Sequence, residues 1–265
     1  MEQIKSKDGT TIAFRRSGAG PALLFVHGMT ADHRSWTRIS PYFEGHFTVY
    51  AMDRRGRGGS GDSPDYDFMR EVEDVSALVE SIGEPVNVFG HSLGGLLCLE
   101  AALLTDKIGR LVLYEPHVHN ISPPTPPDLP DQLQALIDQD ELEAAMLLFL
   151  REGAGMPDDE IDVYRRLPLW PARIPLAPTL PREMLVDRFY NFDASKYANL
   201  RIPTLLLLGG DSPSFSRQAI EMVDSALPDS RVVILPGQQH MAHHTNPELF
   251  AREVLRFLLE DGQAR

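Results

Sequence analysis

Val86-Asn87-Val88-Phe89-Gly90-His91-Ser92-Leu93-Gly94-Gly95 is the segment of this chain whose residue types and spacing point most directly to chemistry. A short apolar strand runs into Gly-x-Ser-x-Gly and then into a helical pattern. On such a strand-to-helix turn a serine hydroxyl stands above a sheet edge. The flanking glycines leave room for neighbouring backbone, and the amides that follow point at the oxygen of a reacting carbonyl. Ser92 is therefore the candidate nucleophile, and the Leu93 N–H a candidate donor to an oxyanion. A tetrahedral oxyanion needs a second donor, each contributing about 3 kcal/mol. The apolar run Ala22 to Val26 ends in His27-Gly28-Met29 and offers the Met29 N–H. His27 reads as a brace for this loop.

These groups must be brought together by elements that end side by side. Asp8-Gly9 is a hairpin signal between two short strands within Ile4 to Arg16, so the chain opens antiparallel. Strand-length apolar runs follow at Ala22 to Val26, Phe47 to Met52, Val86 to Phe89, Leu111 to Tyr114, Thr204 to Leu208 and Arg231 to Leu235. Such runs suit a sheet covered on both faces. Helical spacing appears at Phe68 to Ile82, Leu93 to Leu104, Arg217 to Leu227 and Pro247 to Leu259, the last opened by Asn246 as N-cap with Pro247 at the first helical position. The alternation predicts an α/β fold with a mostly parallel sheet of about eight strands and helices on both faces. From Pro116 to about Arg201 the rhythm stops. Six prolines between Pro116 and Pro130 mark a loop, and amphipathic patterns at Leu129 to Glu152 and Asp158 to Leu167 predict an inserted helical lid. The expected organisation is thus core over 1–115, lid over 116–201 and core again over 202–265.

Composition narrows the partners. With 265 residues, 25 Lys and Arg against 38 Asp and Glu, and a net charge of −13, the chain lacks the basic footprint that nucleic-acid binding requires. Arg54, Arg55 and Arg57 make too short a cluster to supply it. No apolar run approaches the ~20 residues of a membrane span, and the N-terminus has no apolar signal-peptide stretch. The one cysteine, Cys98, closes no intrachain disulfide and reads as a small packing residue. A cytoplasmic protein acting on a small molecule is expected, without nucleic-acid or membrane partners.

Taken together, the His27-Gly28 turn, the loop Met52-Asp53-Arg54-Arg55-Gly56-Arg57-Gly58-Gly59-Ser60, the Ser92 turn and Gly237-Gln238-Gln239-His240 ahead of Asn246-Pro247-Glu248 resemble the α/β-hydrolase superfamily over nearly the whole chain. The resemblance implies a base on the loop after the last strand, where His240 stands, with His243 and His244 as neighbouring competitors. A metal cluster of the three histidines is the alternative reading, without cysteine or carboxylate spacing to support it. The resemblance also implies a carboxylate that orients the base, and two residues compete. In the family the usual slot follows the strand Thr204 to Leu208 as a glycine, two residues and then an aspartate, but Gly209-Gly210-Asp211-Ser212 places Ser212 there and Asp211 one residue early. Glu115 directly ends the strand Leu111 to Tyr114, a position from which some dehalogenase-like members draw their acid. Glu115 is preferred because it needs no shift of register.

The function these readings imply is a serine hydrolase of a small apolar ester, lactone or thioester, working through an acyl-enzyme and needing no cofactor or metal. Carbon–carbon hydrolysis and cofactor-free perhydrolysis fit the same residues, and a non-catalytic ligand-binding receptor is the alternative from another class. A serine in place of an aspartate nucleophile disfavours the dehalogenase and epoxide-hydrolase branches. The lid offers Met146, Phe149, Met156, Tyr164, Trp170, Met184, Phe189 and Tyr190 as apolar candidates for the pocket. Trp170, Phe149 and Met146 are the expected substrate contacts.

Overall fold

A computed structural model describes residues 1–118, 121, 125–185 and 190–260. Its strands are β1 (Glu2–Lys5), β2 (Thr11–Gly18), β3 (Ala22–Val26), β4 (Thr48–Met52), β5 (Val86–His91), β6 (Ile108–Tyr114), β7 (Thr204–Gly209) and β8 (Ser230–Leu235). They form one eight-stranded sheet in the order β1-β2-β4-β3-β5-β6-β7-β8. The β1–β2 and β2–β4 pairs are antiparallel and the others parallel. The opening hairpin turns at Gly9 (φ 87°), where the Asp8 carboxylate accepts the Thr10 N–H at 2.9 Å.

Helices α1 (Ser40–Phe43), α2 (Phe68–Ile82) and α3 (Leu93–Ala101) precede the lid. The segment between β6 and β7, where a lid is expected, holds α4 (Leu129–Asp138), α5 (Leu142–Leu148), α6 (Asp158–Arg165), α7 (Trp170–Arg173) and α8 (Leu180–Met184). After it come α9 (Ser214–Ala226), α10 (Ala242–Thr245) and α11 (Pro247–Leu258). Alternate residues of each central strand feed opposite faces, as a two-residue period requires. Leu24 and Val26 pack with α2, α3 and α9, whereas Leu23 and Phe25 pack with Trp36, Phe43 of α1 and Phe250 of α11. A third apolar cluster lies within the lid.

The long helical pattern Leu129 to Glu152 divides into two helices. Asp140 takes a left-handed φ of 61°, the Glu141 N–H reaches back to Leu136 O at 2.9 Å and the Asp140 N–H to Ile137 O at 3.0 Å. This is a Schellman-type stop, in a conformation that Asp tolerates better than most non-glycine residues. Apolar spacing resumes in α5, so the periodicity passes over the break. A wide π-type turn then covers Phe149–Gly153. α9 starts three residues ahead of the expected Arg217, directly after Pro213.

The strand order reverses at β3. The chain steps from β3 to β4 on one side and returns to β5 on the other. Loops after β3 and β5 therefore diverge over a crevice at the carboxyl edge, the place where open α/β sheets bind ligands. Among the described residues no helix is long and apolar enough to cross a membrane.

Candidate active site

Ser92 sits between β5 and α3 at φ 54° and ψ −126°. A non-glycine residue held there stores about 1–3 kcal/mol of strain, which its surroundings must over-determine. They do so with backbone bonds: the Ser92 N–H donates to Tyr114 O at 3.0 Å, and the Ser92 carbonyl accepts the His117 N–H at 3.1 Å. The turn also needs glycine close by. A Cβ on Gly94 would lie 2.4 Å from Val26 O, and one on Gly28 would lie 2.8 Å from the Ser92 Cβ. The loop after β3 thus lies directly against the serine.

The Leu93 N–H belongs to the first turn of α3 and has no partner inside the helix. Neither it nor the Met29 N–H finds a hydrogen-bond acceptor among the described residues. His27 is fully buried, its Nδ1–H donates to Gly28 O at 2.8 Å and its Nε2 accepts the Arg54 N–H at 3.1 Å. Burial, then the charges of Arg54 and Arg57, hold it well below the usual histidine range. Both ring nitrogens are occupied, so the structure places it as a brace.

Glu115 follows β6 at φ 41°, with its N–H on Leu207 O at 3.1 Å. Its Oε1 accepts the Gly209 N–H at 2.8 Å and the Ser212 hydroxyl at 2.5 Å, and its Oε2 meets His240 Nδ1 at 2.7 Å. Ser212 occupies the slot where the superfamily resemblance calls for an aspartate, and there its hydroxyl supports the glutamate from the neighbouring strand end. Asp211 is exposed in the turn, its backbone N–H on Gln238 O at 2.9 Å. It is not brought to the histidine.

The loop carrying His240 is pinned at three successive points. His91 Nε2–H donates to His240 O at 3.0 Å, and the Tyr114 hydroxyl donates to Gln239 O while accepting the Ala242 N–H at 3.0 Å. Burial pulls His240 down, but the hydrogen bond and charge of Glu115, with the charge of Glu160, outweigh it and raise the imidazole above its ordinary value. The neighbouring rings go the other way. Burial, then other charges, hold His91 and His243 well below the usual range and bring His244 to about 3. His244 Nε2 accepts from Arg173 at 2.9 Å, and His240 Nδ1 is taken by Glu115, so the three histidines do not converge as a ligand set. Asp32, His33 and Asp53 do bring donor atoms within a cation's reach of one another. Asp53, however, accepts the backbone N–H groups of His33 and Gly59 at 2.8 Å each and acts as a loop clasp.

The cavity over Ser92 and His240 is mostly apolar, walled by Met29, Trp36, Val118, Phe149, Met156 and Met241. Of the three expected substrate contacts, Phe149 lines it, while Met146 and Trp170 face the lid's own core. The Trp170 indole N–H donates to Glu143 Oε1 at 2.9 Å. Met156, Tyr164 and Met184 also line the cavity. The Tyr190 hydroxyl donates to Glu100, and Phe189 lies outside the described residues.

Four polar residues of this neighbourhood were not singled out from the sequence: His91, Tyr114, Glu160 and Arg173. The first two flank Ser92 and Glu115 in the chain, and that adjacency was a usable signal. The lid residues had none. Arg173 is buried, donates to Thr30 O at 2.9 Å and to Ser35 Oγ at 3.2 Å, bonds the Tyr164 hydroxyl and lies over the Tyr164 ring at 4.5 Å. Glu160 is 7% exposed, lines the cavity and has no hydrogen-bond partner for its Oε1 among the described residues.

A profile described as the alpha/beta hydrolase family matches residues 23–253. An alpha/beta hydrolase from Sphaerobacter thermophilus of known structure is 35% identical with a TM-score of 0.86, over 97% of this chain and 100% of that one. The 2-(acetamidomethylene)succinate hydrolase of Mesorhizobium japonicum is 24% identical over 263 residues, 94% of this chain and 91% of that protein. A putative carbamate hydrolase of Pseudomonas savastanoi is 28% identical over 253 residues, 90% of this chain and 93% of that protein. Since the family profile spans most of the sequence and includes the Ser92 turn, the chain belongs to the alpha/beta hydrolase family and is a hydrolytic enzyme.

Proposed function

We propose that the protein is a serine hydrolase that cleaves a small, largely apolar carboxylic acyl substrate through an acyl-enzyme. The observation that carries this reading is the 2.7 Å contact of Glu115 Oε2 with His240 Nδ1, on the loop packed beside the Ser92 turn. With Nδ1–H committed to Glu115, the other ring nitrogen is left as the acceptor, the tautomer a general base requires. Ser92 Oγ attacks the acyl carbon while His240 Nε2 takes its proton. The negative charge moves to the carbonyl oxygen, where the Met29 and Leu93 N–H groups donate to it. The bond to the leaving group then breaks, its electron pair goes to the departing atom, and His240 returns the proton there. Water, deprotonated by the same imidazole, attacks the acyl-enzyme and frees Ser92.

Esters, lactones and thioesters suit the apolar wall. Two relatives are named for nitrogen-bearing substrates, a carbamate and an acetamidomethylene acid, so acyl groups bound to nitrogen belong beside them. A cytoplasmic setting suits the lone buried thiol. A fluorophosphonate probe tests the reading. Wild type should be labelled at Ser92 alone and Ser92→Ala not at all, with ester turnover falling by about 10³-fold or more in the variant. A folded wild type that resists the probe would favour the ligand-binding alternative.

A further inference from the structure

The residues lining the cavity that keep a buried polar atom without a partner among the described residues are Trp36 (Nε1), Arg173 (Nε), His243 (Nδ1) and Glu160 (Oε1), and of these only Glu160 is a carboxyl acceptor. It projects from α6 of the lid, with Asp159 beside it in the chain and His240, Glu115 and Tyr114 as the titratable groups that face it. A carboxyl oxygen left unpartnered at 7% exposure is a desolvated acceptor, a costly feature unless something else uses it. Its strongest charge partner is His240, and the His240 backbone amide is also felt by it. Glu160 and His240 line the same cavity, so a leaving-group nitrogen that takes its proton from His240 would sit in the chamber that Glu160 borders.

We propose that Glu160 is a specificity-determining residue whose free Oε1 accepts the N–H of a scissile amide or carbamate, suiting the site to acyl–nitrogen bonds. This rests on Ser92 as nucleophile and His240 as proton carrier. When serine adds to an amide, the nitrogen becomes pyramidal and its new lone pair must point at His240 before the C–N bond can break. An acceptor that takes the N–H along one tetrahedral direction leaves the lone pair along another, toward His240, and so fixes that orientation. The C–N electron pair then goes to nitrogen, the His240 proton joins it and the amine leaves. An ester oxygen carries no hydrogen, gains nothing from the acceptor and meets its lone pairs. Burial raises the Glu160 carboxyl to about 7 against the pull of His240, with Glu115 and Asp159 adding to the rise. The acceptor therefore strengthens as pH climbs through that value.

Matched substrates, 4-nitrophenyl acetate and 4-nitroacetanilide, test this on wild type, Glu160→Leu and Glu160→Gln, with fluorophosphonate labelling of Ser92 run in parallel. In Glu160→Leu the amide-to-ester ratio of kcat/KM, with both substrates read above the acid limb because loss of the Glu160 charge also lowers His240, should fall by about tenfold or more. Glu160→Gln keeps a carbonyl acceptor, so its ratio should stay within about threefold but lose the wild-type rise through pH 7. Equal losses on both substrates would assign Glu160 to stabilising the imidazolium and overturn the proposal. An unchanged ratio in Glu160→Leu, or a wild type that cleaves the ester and not the anilide, would overturn it as well. If Glu160→Leu does not fold, the ratio's pH dependence in wild type against Glu160→Gln decides alone. Failure of wild type to label would instead remove the serine reading beneath it.

Discussion

The two walls of the cavity are held in different ways. On the core wall, Ser92 and Glu115 each follow a strand, each at positive φ, and each is fixed by a backbone bond to the next strand, Ser92 to β6 and Glu115 to β7. The lid wall is built from short proline-interrupted helices with their own apolar cluster. It is joined to the core by buried charged contacts: Glu183 to Arg54 at 3.0 Å and to Arg57 at 2.5 Å, and Arg173 to the Thr30 carbonyl. Sheet register dictates the first wall within narrow limits, because slipping a strand would move both groups. Side-chain packing dictates the second, so its apolar residues can change the substrate without moving Ser92 or Glu115.

The sharpest way to break that contrast is to exchange the carboxylate of the core wall. Glu115→Gln keeps the volume and offers His240 the wrong partner, and the equivalent change in a serine protease lowers kcat about 10⁴-fold. A loss of about 10³-fold or more is expected here, against less than about twofold for the exposed Asp211→Asn. The pH profile gives an independent reading. Glu115 lifts His240 above its ordinary value, and the imidazole must be neutral to accept a proton. The acid limb of kcat/KM should therefore lie above about 6.5 in wild type and move lower in Glu115→Gln, where burial is opposed by less. Comparable losses in Glu115→Gln and Asp211→Asn, or an acid limb that does not move, would remove Glu115 from this role.

The same contrast explains what could be read in advance. Ser92 and the sheet were legible because the glycine spacing, the apolar strand before it and the helical spacing after it are all local. Glu115 was legible because it ends an apolar strand, and the Ser212 substitution left the usual slot without a carboxylate. The break at Asp140 was not, since apolar spacing continues across it. Nor was the facing of the lid residues, which depends on contacts between distant segments. Trp170 and Phe149 are both apolar candidates in sequence, and what separates them is contact with distant residues: Trp170 packs on Tyr164 and bonds Glu143, whereas Phe149 lines the cavity.

A smaller effect is expected where the walls meet. Arg173 and Tyr164 both bond Thr30, which stands at φ 59° directly after Met29. Replacing Arg173 by Met removes the anchor of that carbonyl and loosens the Met29 N–H without touching Ser92. Since deleting an oxyanion donor outright costs about 10²–10³-fold in kcat, displacing one should lower kcat by about tenfold. KM should change less, and the rate of Ser92 labelling should fall with kcat. A change confined to KM would make Arg173 a substrate contact and place the anchor elsewhere.

The smallest effect should come from inside the lid. Trp170 packs edge-on against Tyr164 at 5.8 Å between ring centroids, and its indole N–H bonds Glu143, which is half-exposed. Trp170→Phe keeps a ring beside Tyr164 and loses one hydrogen bond and some volume, a change of about 1–2 kcal/mol in stability. That corresponds to a Tm lower by about 2–8 °C for a chain of this size. Tyr164 remains tied to Thr30 and Arg173, so the cavity wall should hold its place and kcat/KM should stay within about twofold. Calorimetry and ester kinetics on the same sample measure both. If KM instead rose more than about fivefold with Tm unchanged, Trp170 would touch substrate after all, and the division between a lid core and a lid wall would have to be redrawn.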